Sequence, residues 1–251
     1  MIRRLRLVSG LVLFAYVCTH FANHALGLIS LDAMERGRIW FLALWRNPVG
    51  TPVLYGALAL HLSLTLWKLY ESRGFRMPRL KTCQIVLGLA IPPLLAEHIA
   101  GTRYLSEFFG VHDTYTYVLL VLWKFAPMIG VRQVFVLLIV WLHGCIGLHY
   151  WLRIRPWYPR ALPWLYAAAL LLPVLALLGF VQAGREVLEL ADNAEWLTVA
   201  LGEINFPGPD SIDAETTLLV WLRGGFAVLL VGVLAARGVR AGLERRRGAI
   251  R

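Results

Sequence analysis

Apolar residues along this chain gather in long uninterrupted runs, set apart by short charged stretches rich in proline. About 20 apolar residues cross the ~30 Å hydrocarbon core of a bilayer as a helix. Six runs meet that length or approach it, at about 5–28, 53–69, 82–101, 129–152, 162–181 and 217–236. The pattern predicts an all-α polytopic membrane protein, with six transmembrane helices in one bundle over 1–251. Residues 40–45 read as a short interfacial helix, and Pro92-Pro93 should kink the third span and free carbonyls for other partners. A segment opening at His112-Asp113-Thr114 can be capped by Asp113 or Thr114 and must end before Pro127. It is too short to span and reads as peripheral or re-entrant. The acidic stretch 185–216 reads as a long connection between the fifth and sixth spans.

Composition agrees. The chain is 59% hydrophobic and 16% charged, against about 25% charged in an ordinary soluble domain. Mean hydropathy is +0.63. The net charge of +10 raises nucleic acid as a partner, but its placement removes it. Seventeen Lys and Arg precede the first span, join spans two to three and four to five, or follow the sixth. The alternate connections hold seven, with 12 of the 15 acids. The positive-inside rule then puts both termini in the cytoplasm. The basic charge is an orientation signal and a contact for membrane lipid. Trp40, Trp45, Trp67, Trp151, Trp157 and Trp164 near run ends fit interfacial belts. The basic N-terminus resembles a signal peptide, but its apolar run is too long and lacks a cleavage site, so it reads as a retained helix. Cys18, Cys83 and Cys145 show no paired spacing, and the absence of Cys-x-x-Cys-His excludes covalent c-type haem attachment.

Six of the seven histidines fall in or at the ends of these runs. An ionisable side chain in hydrocarbon is costly without a partner and marks a functional site by default. His20 and His24 share one helical face. His24 and His98 lie roughly 8–10 Å from the outer ends of spans one and three, and His61 and His143 roughly 14–21 Å from those of spans two and four. Two depth-matched pairs on four helices fit two stacked b-type haems, each held by two imidazoles. The expected outer ligands are His24 and His98, and the inner ones His61 and His143. His20 and His149 are the alternatives: His20 could replace His24, and His149 suits a propionate or quinone. His112 is expected outside the bilayer. A zinc site is the weaker reading, because Glu97 is the single intramembrane acid near these rings; a relay of protons through His and Glu97 is the other alternative.

Arg103, Arg132, Arg46 and Arg223 toward the outer face, and Lys68 and Arg153 toward the inner face, are candidate propionate partners or interfacial anchors. Arg223 must face the bundle, pair with an anion or snorkel toward the acidic segment 203–215. Gly27, Gly144 and Gly147 are small enough to admit a macrocycle, or to serve helix packing.

The segments Thr-His-Phe-Ala-Asn-His-Ala-Leu-Gly-Leu at 19–28, Leu-Ala-Glu-His at 95–98 and Trp-Leu-His-Gly-Cys-Ile-Gly-Leu-His-Tyr-Trp-Leu-Arg at 141–153 carry a resemblance. They resemble the six-helix haem-binding anchors of bacterial class III adenylate cyclases. The pairing of helices is also similar to the dihaem cytochrome b anchors of succinate dehydrogenases and fumarate reductases. The resemblance covers essentially the whole chain. It implies a bacterial inner-membrane protein carrying two b haems, giving redox or quinone-sensing input to a cytoplasmic cyclase. In that family a [2Fe-2S] domain and the cyclase follow the anchor, and the cyclase dimerises. The sixth span and the end at 243–251, without a natural stop, favour this relationship. The dehydrogenase relationship implies instead an electron-transfer subunit with separate flavoprotein and iron–sulfur partners. No cyclase carboxylates are present, so this chain alone is not expected to be catalytic.

Overall fold

The computed structural model describes residues 1–72 and 77–249, with side chains as far as residue 244. Arg73 and Arg76 of the basic connection, and the arginine side chains beyond 244, lie outside the described residues. Ten α-helices follow in order: α1 Ile2–Ala25, α2 Leu31–Trp45, α3 Gly50–Glu71, α4 Arg79–Ile99, α5 Leu105–Phe109, α6 Tyr115–Leu119, α7 Pro127–Leu152, α8 Tyr158–Leu190, α9 Ala194–Ile204 and α10 Pro209–Ala249. Six helical stretches are long and apolar enough to cross a membrane: Ile2–Leu28, Gly50–Glu71, Arg79–Phe109, Pro127–Leu152, Tyr158–Leu190 and Pro209–Glu244. The expected all-α bundle is present.

The helices outrun their apolar runs, because backbone hydrogen bonding continues wherever side chains permit. α4 passes through Pro92-Pro93 and joins α5 by π-helical turns over Ala100–Tyr104. The acidic stretch after the fifth span is largely helical: α8 runs to Leu190, and α10 begins at Pro209. Between them Asn193 caps α9, its side-chain oxygen accepting from the amides of Glu195 and Trp196. Likewise Ser30 caps α2, and Thr114, one of the two residues expected, caps α6. The interfacial helix expected over 40–45 is the last part of α2.

Packing is tightest at one end of the bundle. Leu31, Met34, Leu105, Val111, Tyr115, Leu119, Leu120, Val187 and Ile204 form one buried cluster where α2, α5, α6 and α9 close over the spans. Within the spans much apolar surface stays exposed, as lipid contact requires. α10 is the extreme: no residue of its most apolar window is buried. It lies against α3 and α4 at the rim.

Candidate functional site

Four of the spans carry the histidines at two levels. On α1, Gly10 and His20 are ten residues apart, and on α4 so are Gly88 and His98. At 1.5 Å per residue each separation is about 15 Å along the helix. Gly10 and Gly88 touch the lower rings; His20 and His98 are the upper ones.

The lower site lies between α3 and α7. The ring centroids of His61 and His143 are 6.3 Å apart, with planes perpendicular at 90°. His61 Nδ1 lies 3.2 Å from the Arg6 carbonyl and 3.3 Å from the Ser9 hydroxyl. His143 Nδ1 lies 2.9 Å from the Gln84 carbonyl. A carbonyl only accepts, so both Nδ1 atoms carry the proton, and each neutral ring is left with its Nε2 lone pair. The neighbouring helices make room for the rings with glycine. A Cβ on Gly10 would come to 3.0 Å from His61, and one on Gly88 to 2.6 Å from His143. The three glycines expected beside the histidines serve other contacts. Gly27 receives the Gly179 backbone, Gly144 the Phe14 ring and Gly147 the Gln84 amide.

The upper site lies between α1 and α4. His20 and His98 have ring centroids 6.0 Å apart at 59°. His24 lies one turn from His20, with ring centroids 4.6 Å apart, and meets Tyr115 edge-on at 5.4 Å. His20 Nδ1 and His24 Nδ1 are buried and have no hydrogen-bond partner among the described residues. The three rings border a partly open cavity of about 180 Å³. Phe21, Leu137, Val140, Leu177 and Phe180 give it apolar walls. Thr102, on the π-helical stretch, also lines it and donates its hydroxyl to the His98 carbonyl at 2.6 Å. Tyr115 accepts from the Asn23 amide at 2.7 Å, and burial raises its phenol above the ordinary range, so it stays neutral.

Charge enters this cavity through two residues of α2 and its C-cap, Arg38 and Arg46, which line it with Asp113. Arg46 makes a two-pronged ion pair with Asp113, and Arg38 pairs with Glu35 at 2.7 Å. Burial acts to lower the Arg46 pKa, but the hydrogen bonds and charge of Asp113 raise it overall, so the cation persists.

Of the six cations expected to meet a cofactor, Arg46 lines the cavity, whereas Arg103, Arg132, Arg223, Arg153 and Lys68 are not among its lining residues. Arg103 pairs with Glu107 at 2.7 Å, and Lys68 with Glu71 at 3.4 Å. Arg153 stacks over Tyr150 at 4.8 Å. Arg132 and Arg223 both pair with Glu97, the latter at 3.0 Å, and Arg223 Nε donates to the Pro93 carbonyl at 3.1 Å. Arg223 therefore turns into the bundle toward Glu97, away from the acidic segment. His149 hydrogen-bonds the Tyr158 hydroxyl at 2.7 Å, and His112 the Glu203 carbonyl at 2.8 Å.

Two imidazoles that share one metal ion at about 2 Å from each nitrogen have ring centroids roughly 6 Å apart. Both the His61–His143 and the His20–His98 spacings match that figure. Among the described residues no three His, Cys, Asp or Glu side chains converge as a metal-ion cage. No protein-family model, no curated protein and no solved structure matches this chain.

Proposed function

We propose that this chain is a membrane anchor for two b-type haems, one on His61 and His143 and one on His98 with His20. The observation that carries this reading is the recurrence of a roughly 6 Å imidazole spacing at two levels of the same four helices. The ring spacing favours His20 over the sequence choice of His24 as partner of His98. His24 then stands beside the ligand pair, with Tyr115 at its edge. The buried, unpartnered Nδ1 atoms and the apolar cavity also fit a large planar guest.

Haem would supply a reversible one-electron change. The chain's own residues fix the rings and exclude water. Arg6 and Gln84 carbonyls orient His61 and His143, and apolar walls flank His20 and His98 in the upper site. Arg38 and Arg46 are the cations placed to meet carboxylates at its mouth. On the resemblance to cyclase anchors, we place the protein in a bacterial inner membrane, its termini cytoplasmic, as redox or quinone-sensing input to a cyclase. That cyclase, and any [2Fe-2S] domain, would belong to sequence other than these residues, and dimerisation would come through it.

The test is a pyridine haemochrome assay of the purified chain with a reduced-minus-oxidised spectrum. Two haems per chain are expected, with sharp reduced α-bands of the b type. One or none overturns the assignment.

A further inference from the structure

The end of the bundle opposite the charged cavity holds a second feature, independent of the histidines. At the C-terminal end of α3, a cavity of about 260 Å³ opens against α10. Tyr70, Glu71 and Ser72 line it from the α3 side, and Arg237, Arg240 and Glu244 from α10. Arg237 and Arg240 are three residues apart and so share a face of the helix. Arg237 Nε donates to the Ser72 carbonyl at 2.7 Å, tying α10 to the end of α3. Arg240 lies over the Tyr70 ring at 5.3 Å, and its Nε contacts Glu244 at 3.0 Å.

The acids here are already engaged. Glu71 pairs with Lys68, and Glu244 with Arg240. Arg237 and Arg240 thus meet the end of α3 at one cavity, next to a tyrosine and a serine. A guanidinium carries five donors in a planar fork that matches phosphate oxygens, and Tyr70 and Glu244 hold the Arg240 fork in place at the cavity. The cavity sits where α10 leaves the apolar region: Arg237 is fourteen residues beyond Arg223, about 21 Å along the helix. That places it at headgroup depth for a helix whose Arg223 lies toward the other face.

We propose that the α3–α10 cavity binds the phosphate of an anionic phospholipid headgroup. Basic pockets between membrane helices on the cytoplasmic side suit such lipids, and the charge bias of the loops puts this end there. The headgroup would bridge α3 and α10, and its acyl chains would follow the exposed apolar face of α10.

The experiment uses the full chain in detergent, stripped of phospholipid and then offered phosphatidylglycerol or phosphatidylcholine, with bound lipid counted by native mass spectrometry. Preferential retention of phosphatidylglycerol is expected. Arg240→Gln should weaken it about five-fold, and Arg237→Gln by a similar factor. Arg240→Lys, which keeps the charge but not the fork, should fall between. An Arg155→Gln/Arg160→Gln control, altering a basic connection elsewhere, should leave retention unchanged. Helical circular dichroism monitors folding of each variant. Millimolar inorganic phosphate is the second arm. Failure to displace the lipid assigns the site to a headgroup with its chains, whereas displacement assigns it to free phosphate and overturns the lipid. Equal retention of both lipids, unchanged retention in the Arg240 and Arg237 variants, or equal loss in the control also overturns the proposal. All of these readouts are blind to haem content, so their failure is distinct from failure of the haem reading.

Discussion

The two histidine sites are built by opposite means. At the α3–α7 site each ring is tied to main chain, through the Arg6 and Gln84 carbonyls, and occupies space that glycines on α1 and α4 leave for it. At the α1–α4 site His20 Nδ1 and His24 Nδ1 have no partner among the described residues, and three rings border a cavity that charged residues also line. One site is set before anything binds; the other leaves polar atoms waiting. A ring fixed through a backbone carbonyl has its tautomer and direction determined by helices that cannot mutate their amide groups. A ring whose neighbours are side chains can be retuned by any of them. On the proposed haem reading the lower site would be the one for constancy and the upper the one for response.

The largest test of that contrast is removal of ligands. His61→Ala or His143→Ala should halve the haem content and leave the upper spectrum intact, while His98→Ala or His20→Ala should do the converse. His24→Ala decides whether the third ring is a bystander: two haems retained supports the His20–His98 pair, and loss of the upper one restores the sequence-based choice. Next in size, Gly88→Leu forces a side chain into the His143 ring. Overpacking of this kind costs about 1–3 kcal/mol, and the signal expected is a disturbed lower haem beside an unchanged upper one. Glu97→Gln tests whether the ion cluster beside His98 belongs to the responsive site. It leaves two partly exposed arginines unneutralised, so a loss of about 1–3 kcal/mol in thermal stability is expected, with a shift confined to the upper midpoint potential. The smallest effect is assigned to His149→Phe. It loses a hydrogen bond to Tyr158, worth about 1 kcal/mol, and both haems should remain.

The six spans were legible because apolar length alone decides what can cross a bilayer. Their ends were not, since Arg185, Glu186 and Glu189 continue α8 without any apolar signal. Glu186 is even recruited to accept from the Leu31 amide at 2.8 Å. Asn193 before Glu195 did carry a capping signal for α9, hidden by the acidity of the whole stretch. Among the site residues, the facing of His61 and His143 across α3 and α7 was anticipated from sequence spacing. The choice between His20 and His24 was not, because both lie on one helical face and only the position of His98 separates them. Arg38 escaped notice for a similar reason: it is one of three arginines in a connection, and only the path of α2 over α1 brings it to the cavity. Gly10 and Gly88 were missed because a close approach between helices leaves no trace in either sequence alone.

The ten-residue offset that α1 and α4 share has an electrical meaning. The two levels are about 15 Å apart, roughly half the hydrocarbon thickness. A unit charge that changes level therefore crosses about half of the membrane potential. At about 2.3 kcal/mol per charge per 100 mV, that is roughly 1 kcal/mol, enough to shift the balance between the levels about seven-fold. If the two levels hold haems as proposed, the spacing of glycine and histidine on two helices would make the bundle a voltage divider, in which the occupancy of one level relative to the other follows the energised state of the membrane.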